Sequence, residues 1–505
     1  MRYTLLVLSV CLLVLQACSR KDDPNAGLNQ KPLAKVNVKD VTLADPTNLI
    51  STVRLFWTGS DADGFVRGFR LSVNGGPYTS LISRTDSLFR FTLTAGDTIQ
   101  TIVFRVVAID NLNSESEPAE IRLPVRNSPP RVSFNALPKT DTLLGVITLP
   151  FLATDPDGDE TLDSAFIRLN GGAWYALPKT AAAIYLLAAD PRTAGVQNAR
   201  VFYSNTLSSQ RILLPAQLPG LEVGGSNTFE MRVTDLSRTS SPLAQVLDGG
   251  RVRAFFLRRI TSDLLLLDAH NTRGVFAPEN KYFPTLARVY PAGFDYIDLT
   301  GNGGQNQPPV FVNTLGLLTE QYPKVFWYSD EARLTNTIDN TQLLIETASP
   351  FLAAHLSAGR KLLVSAKFPD AGARVLFPAT PLSGWLPVDS LQSQAGRINN
   401  RSLIVSLDTA RYPNLRSLSA GQGGVIQQGV DTFFPSAQAD SLYAGPIVWT
   451  GGTQNPRPTR AIGGKAPKGA AKPSLIFFTV DLDRQSGDEA AFDRFFNNVL
   501  NRDFN

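Results

Sequence analysis

Cysteine is almost absent: the chain of 505 residues holds two, Cys11 and Cys18, both near the N-terminus. Everything after residue 18 therefore has no thiol, no disulfide and no Cys-bound metal. Histidine is as scarce, with only His270 and His355, and this excludes a His-rich metal centre. Charge of one sign is also lacking. The formal net charge is +4, too small to point to nucleic acid. After the opening segment no apolar run approaches the about 18 residues of a membrane-spanning helix. The 43% hydrophobic content is that of a soluble globular protein, and the length suffices for about three domains.

What is present begins with an address. Met1-Arg2-Tyr3 is a short basic start, Thr4 to Gln16 is apolar, and Leu15-Gln16-Ala17-Cys18 closes the run. An h-region this short reads as a removed signal segment. With a cysteine at the cut it resembles a bacterial lipoprotein lipobox. That resemblance implies that 1–17 is a signal peptide, that Cys18 becomes the mature N-terminus, and that it carries acyl chains. Burial of acyl chains contributes about 0.8 kcal/mol per CH₂. Lys21-Asp22-Asp23 follows and resembles the surface-export signal of Bacteroidota lipoproteins, which implies an outer-membrane anchor with outward display; the competing reading is a plain polar tether on the periplasmic face. Residues 18–33, with Pro24, Gly27 and Pro32, read as a flexible tether.

From Lys35 the pattern is period-two alternation. Val53 to Trp57 is a strand, Asp61-Ala62-Asp63-Gly64 a turn, and Val66 to Val73 the next strand, closed by Asn74-Gly75-Gly76. Ile102 to Ile109 follows, and Glu120 to Val125 completes a β-sandwich. After Pro129-Pro130 the unit recurs. Thr154 to Gly158 answers Ser60 to Gly64, Ile167 to Gly172 answers Leu71 to Gly76, and Phe229 to Asp235 answers Phe104 to Asp110. The second copy carries some 30 extra residues before that last landmark. Both units, 34–127 and 128–258, resemble immunoglobulin-like or fibronectin type III-like modules.

From Ser262 strands and helices alternate. Leu264 to Asp268, Tyr296 to Leu299, Lys324 to Asp330 and Arg360 to Ser365 read as strands. Lys281 to Val289, Leu315 to Tyr322 and Thr341 to Ser357 read as helices, the last stopped by Gly359. Unbroken apolar strands in this order imply a parallel sheet with right-handed crossovers. Leu475 to Val480 is a late strand. Ser486 with Glu489 forms a capping box for a last helix whose face is Phe492, Phe495, Phe496, Val499 and Leu500. Residues 259–505 resemble the class I glutamine amidotransferase-like (flavodoxin-like) domain. The expected fold is therefore multidomain, with two all-β Ig-like sandwiches followed by an α/β parallel-sheet domain.

The amidotransferase resemblance implies a Cys nucleophile at a strand-to-helix turn. Leu363-Val364-Ser365-Ala366-Lys367 stands there instead, and Ser365 lacks the flanking glycines of a nucleophile elbow. The family's chemistry is not carried over. Ligands of open α/β sheets sit beyond the C-terminal strand ends. Asp268, His270, Asp330 and Glu331 fall there as an acid–base or sparse metal set, against the plainer reading of solvated helix caps. His355 lies mid-helix and reads as packed. Asp155, Asp157, Asp159 and Asp163, with Asp235 across the sandwich, offer oxygens to calcium. The EF-hand pattern fails at Glu160 and Phe166, and an Asp/Gly hairpin turn is the competing reading. Gly451 to Pro473 reads as a basic Gly/Pro loop carrying Arg457, Arg460, Lys465, Lys468 and Lys472. Trp57, Trp174, Trp327, Trp385 and Trp449 are candidate sugar platforms, two of them within core-like runs.

The function expected is non-catalytic binding or scaffolding by a lipid-anchored envelope protein. One alternative is a hydrolase or transferase using the α/β cleft, and a second is a subunit of an envelope assembly. The expected partners are the membrane, through the acyl chains, and a glycan or envelope protein, but not nucleic acid. No motif calls for a cofactor.

Overall fold

The computed structural model describes residues 29–44, 48–94, 98–301, 306–333, 342–368, 375–376, 381–448 and 461–505. Cys18, Lys21, Asp22, Asp23, Trp449, Arg457 and Arg460 lie outside them. The chain is multidomain and largely β. It divides into two compact units. One holds 1–130 with 154–163 and 234–241, and the other holds the remainder.

The first module is a three-stranded sheet on a four-stranded one. Leu33–Asp40, Thr52–Ser60 and Asp86–Arg90 form the former. Leu49–Ile50, Ala119–Arg126, Ile99–Asp110 and Val66–Val73 form the latter. Alternation sends Val53, Leu55 and Trp57 inward. Trp57 is fully buried, and its indole N–H donates to the Arg84 carbonyl at 2.9 Å. A residue this large with its one polar atom satisfied fixes the centre of the sandwich.

In the second module Tyr175–Leu177, Leu162–Leu169, Phe229–Asp235 and Ala244–Gln245 form one sheet. The facing sheet has five strands: Ile212–Val223, Gly195–Ser204, Ala183–Ala188, Val146–Thr154 and Arg131–Phe134. The extra residues seen in the sequence build strands of this sheet. Ala183–Ala188 is buried at every position because both its faces are covered. Its Tyr185 and Leu187 join a core that also holds Leu265, Trp327, Leu315 and Leu318 of the α/β part. Asn313 donates to the Tyr185 hydroxyl at 2.9 Å, and the Thr148 and Thr314 hydroxyls lie 2.8 Å apart.

In the α/β part five strands run parallel in the spatial order Asp295–Asp298, Leu264–Ala269, Lys324–Ser329, Lys361–Ala366, Leu475–Phe478. The sheet continues in antiparallel strands contributed by residues between Lys361–Ala366 and Leu475–Phe478. Among the described residues the α-helices are Glu279–Val289, Phe311–Thr319, Leu344–Ser357 and Glu489–Asn498. Gly359, at φ +76°, ends the third.

Two local expectations need correction. The last helix is capped by Asp488, whose carboxylate accepts the Ala491 N–H at 3.0 Å, while the Ser486 hydroxyl donates to the Asp483 carbonyl. Of the stretch expected as a loop, Gly451 to Pro473, residues 451–460 lie outside the described ones and Ala461–Ala466 is a strand, with Lys465 buried and paired to Asp408 at 2.8 Å. Its glycines are packing devices. A Cβ on Gly464 would lie 2.5 Å from the Phe477 ring.

Candidate functional site

Because the strands are parallel, their C-terminal ends share one edge of the sheet. The strand order reverses between Leu264–Ala269 and Lys324–Ser329, the switch point at which open α/β sheets take their ligands. His270 leaves the first of these strands and Asp330 the second. Lys367 leaves the neighbouring strand Lys361–Ala366, and Asp481 follows Leu475–Phe478.

His270 is buried between two carboxylates. Its Nδ1 lies 3.7 Å from Asp330 and its Nε2 lies 3.7 Å from Asp481. Lys367 reaches the second Asp481 oxygen at 3.5 Å. Asp330 is fixed by the Asn271 N–H at 2.9 Å, the Asn271 side chain at 3.1 Å and the Ala332 N–H at 2.9 Å. Burial alone would lower the His270 pKa, but Asp481 and Asp330 outweigh it and the value is raised. Burial pushes Asp481 up, yet His270 and Lys367 bring it below the usual carboxylate range. Asp483, buried beside Asp481, is pushed up to about 6. His270 Nε2 and Asp481 Oδ1 have no hydrogen-bond partner.

A second cluster lies alongside. Asp268 is fully buried and accepts the His270 N–H at 2.9 Å and the Tyr296 hydroxyl at 2.8 Å. Burial lifts its pKa to about 6. Arg273 lies 3.4 Å from Asp268 and also bonds Asp298 and Thr300. Near it, a cavity of about 480 Å³ is lined by Leu143, Leu144, Arg258, Tyr296, Asp298 and Leu318, among others.

Of the four residues expected to converge, His270 and Asp330 do. Asp268 turns to Arg273 and Tyr296 instead, and Glu331 is exposed. Sequence reasoning missed Asp481 and Arg273, and placed Lys367 at a strand end without giving it a role. Asp481 follows the strand read as Leu475 to Val480, so the strand-end rule would have found it. At the nucleophile position the Ser365 hydroxyl is buried, donates to the Val480 carbonyl at 3.1 Å and accepts the Leu482 N–H at 3.0 Å.

The calcium candidates divide. Asp155 and Asp157 are buried with Asp235, whereas Asp159 and Asp163 are exposed. Among the described residues no three or more His, Cys, Asp or Glu are gathered ready-made around a metal position. Trp57 and Trp327 are core, and Trp385 is half-buried, its indole donating to Ser349 at 2.8 Å. Trp174 is half-buried beneath Arg168 and Arg232, at 4.8 and 4.5 Å from its ring. His355 is packed, its Nε2 3.1 Å from the Lys361 carbonyl.

No family model and no curated protein matches the chain. Among solved structures, fibronectin(III)-like modules of Clostridium thermocellum CbhA align at 11% identity, covering 44% of this chain and 94% of that one, with TM-score 0.17. A two-domain fibronectin type III segment of chicken tenascin aligns at 18% identity over 41% and 97%, with TM-score 0.17. A Ca²⁺-stabilized adhesin of an Antarctic bacterium aligns at 12% identity over 46% and 76%, with TM-score 0.14. Scores this low carry no argument, and the sandwich description rests on the strand pairings.

Proposed function

We propose that this chain is a lipid-anchored, outward-facing envelope protein that binds a glycan or another envelope protein without chemical turnover. On this reading its C-terminal part is a flavodoxin-like relative of the amidotransferase domain that has lost the reaction. The strand order 2-1-3-4-5 of the parallel sheet supports the fold side of the reading. One observation carries the non-catalytic side: the buried Ser365 hydroxyl donates its proton to the Val480 carbonyl and accepts the Leu482 N–H, so that proton is committed to the backbone. A nucleophile hands its proton to a base and needs an open approach, whereas the Ser365 proton goes to a carbonyl and the side chain is buried.

A fluorophosphonate serine probe applied to the purified chain is expected to leave Ser365 unlabelled. Labelling that disappears in Ser365→Ala would overturn the reading. Display is tested by protease treatment of intact cells, with cleavage expected for the native chain and protection for the Lys21, Asp22 and Asp23 to Ala variant. A second reading, a hydrolase or transferase, draws on His270 between Asp330 and Asp481. It requires a turnover that His270→Gln abolishes while leaving the fold intact.

A further inference from the structure

One pole of the second module holds buried negative charge that forms no ion pair among the described residues. Asp155 and Asp157 occupy the turn after Val146–Thr154, and Asp235 ends Phe229–Asp235. They are 6%, 1% and 1% exposed. Part of their bonding capacity is used: Asp155 accepts the Asp157 N–H at 2.9 Å, and Asp157 accepts the Ser128 N–H at 2.9 Å. Asp235 accepts the Thr239 N–H at 2.8 Å and the Asn127 side chain at 2.6 Å. Asp155 Oδ2 and Asp157 Oδ1 remain buried without a hydrogen bond. The nearby Thr161 hydroxyl donates to the Gly158 carbonyl at 2.7 Å. Among the described residues no Lys, Arg or His forms an ion pair with any of the three carboxylates. Buried carboxylates are normally paired or bound to a metal. Burial and the charges of Asp157 and Asp235 raise the Asp155 pKa, as expected when a counter-charge is missing.

The arrangement is repeated. In the first module Asp61 and Asp63 occupy the turn after Thr52–Ser60, and Asp110 ends Ile99–Asp110. Asp63 accepts the Gln30 N–H at 2.9 Å, as Asp157 accepts that of Ser128. Asp110 accepts the Asn29 side chain at 2.5 Å, as Asp235 accepts that of Asn127. Both Asp61 oxygens are buried and unbonded. Two copies of one hydrogen-bonding arrangement mark a built feature, with unbonded carboxylate oxygens on Asp155 and Asp157 in one turn and on Asp61 in the other, where Asp63 is exposed.

We propose that Asp155 and Asp157, with Asp235 beside them, bind a calcium ion at this pole, and that Asp61, Asp63 and Asp110 form the same site in the first module. Calcium takes six to eight oxygens in flexible geometry, whereas magnesium demands a tight octahedron. The protein supplies the two free oxygens as anchors, and water completes the shell. So incomplete a protein shell is consistent with no ready-made three-residue group, and it sets the affinity in the range of extracellular modules, a Kd of about 10⁻⁴–10⁻³ M. Asn127 and Ser128 bond the same carboxylates, so the ion also clamps the segment entering the second module.

The test uses the full chain in detergent, with calcium binding followed by calorimetry and melting followed in EGTA, CaCl₂, MgCl₂ and NaCl of matched ionic strength. Two bound equivalents and a calcium-specific rise in Tm are expected. Asp155→Asn with Asp157→Asn loses one equivalent, and Asp61→Asn with Asp63→Asn loses the other. In EGTA both variants melt at or above the native temperature, because like-charge repulsion is relieved, and this separates ion loss from misfolding. The proposal is overturned by any of three results: no heat and no rise in Tm up to ~10 mM calcium, well above the expected Kd, an equal rise with NaCl, or an Asn variant that binds calcium as the native chain does.

Discussion

The two β-sandwiches share a strand pattern but differ in what closes their cores. In the first, Thr52–Ser60 alternates inward and outward, and the core gathers residues from Val36 to Val125 only. In the second, Ala183–Ala188 is buried throughout, and its core runs on to Phe477 of the α/β part. The difference lies in one local property, whether the alternation is kept or broken. A strand that keeps it offers one apolar face and closes a module on itself. A strand that breaks it needs a partner on its second face.

Substitutions can test this contrast, and the core gives the largest effects. Trp57→Ala should cost about 3–5 kcal/mol and Leu187→Ala about 2–5 kcal/mol. In scanning calorimetry the first is expected to move the transition of the first module alone. The second should move one transition containing both the second sandwich and the α/β part. Separate melting of those two would show that the shared core does not couple them.

The pH dependence divides the molecule in the same way. Burial holds His355 down at about 4, from its ordinary 6.5. For a base with a depressed pKa the stabilisation is complete above pH 6.5 and is lost as pH falls through 4, a change of ~3 kcal/mol. His355→Gln should flatten the acid side of the α/β transition and leave that of the first module unchanged.

The Thr148–Thr314 hydroxyl pair gives a smaller effect and a sharper test. Either Thr→Val alone strands a buried hydroxyl and should cost about 1–3 kcal/mol, whereas the double replacement should be close to neutral. Additive losses in denaturant titrations would mean that the pair is not one unit. The smallest effect is at the last helix, where Asp488→Ala should cost about 1 kcal/mol through loss of the cap.

Much of this fold was legible in the sequence because burial imposes periodicity. Val53 to Trp57 and Leu264 to Asp268 announce their burial by alternation and by its absence. The strand Ala461–Ala466 was hidden, because Gly463 and Gly464 read as loop until the Phe477 and Phe478 rings are seen covering them. The site was half legible. His270, Asp330 and Asp481 all stand at strand ends, but that Asp481 meets the other two depends on Leu475–Phe478 pairing with Lys361–Ala366, which no local pattern reports. Ser486 was misread as a cap because Asp488, two residues on, competes for the same role and sits closer to the first turn. The acidic turns were visible as Asp-x-Asp-Gly. Their third members, Asp110 and Asp235, stand far along the chain at the ends of other strands.

The broken alternation also sets an order of events. From Ala188 to Phe311, the start of the helix that covers this strand, the chain runs about 120 positions. A polypeptide that emerges N-terminus first, at roughly 5–20 residues per second, shows the outer face of Ala183–Ala188 to its surroundings for about 6–25 s before the covering helix Phe311–Thr319 arrives. The first module has no such interval. A holding factor that recognises extended apolar strands would therefore find its target in the second sandwich, and only while the chain is young.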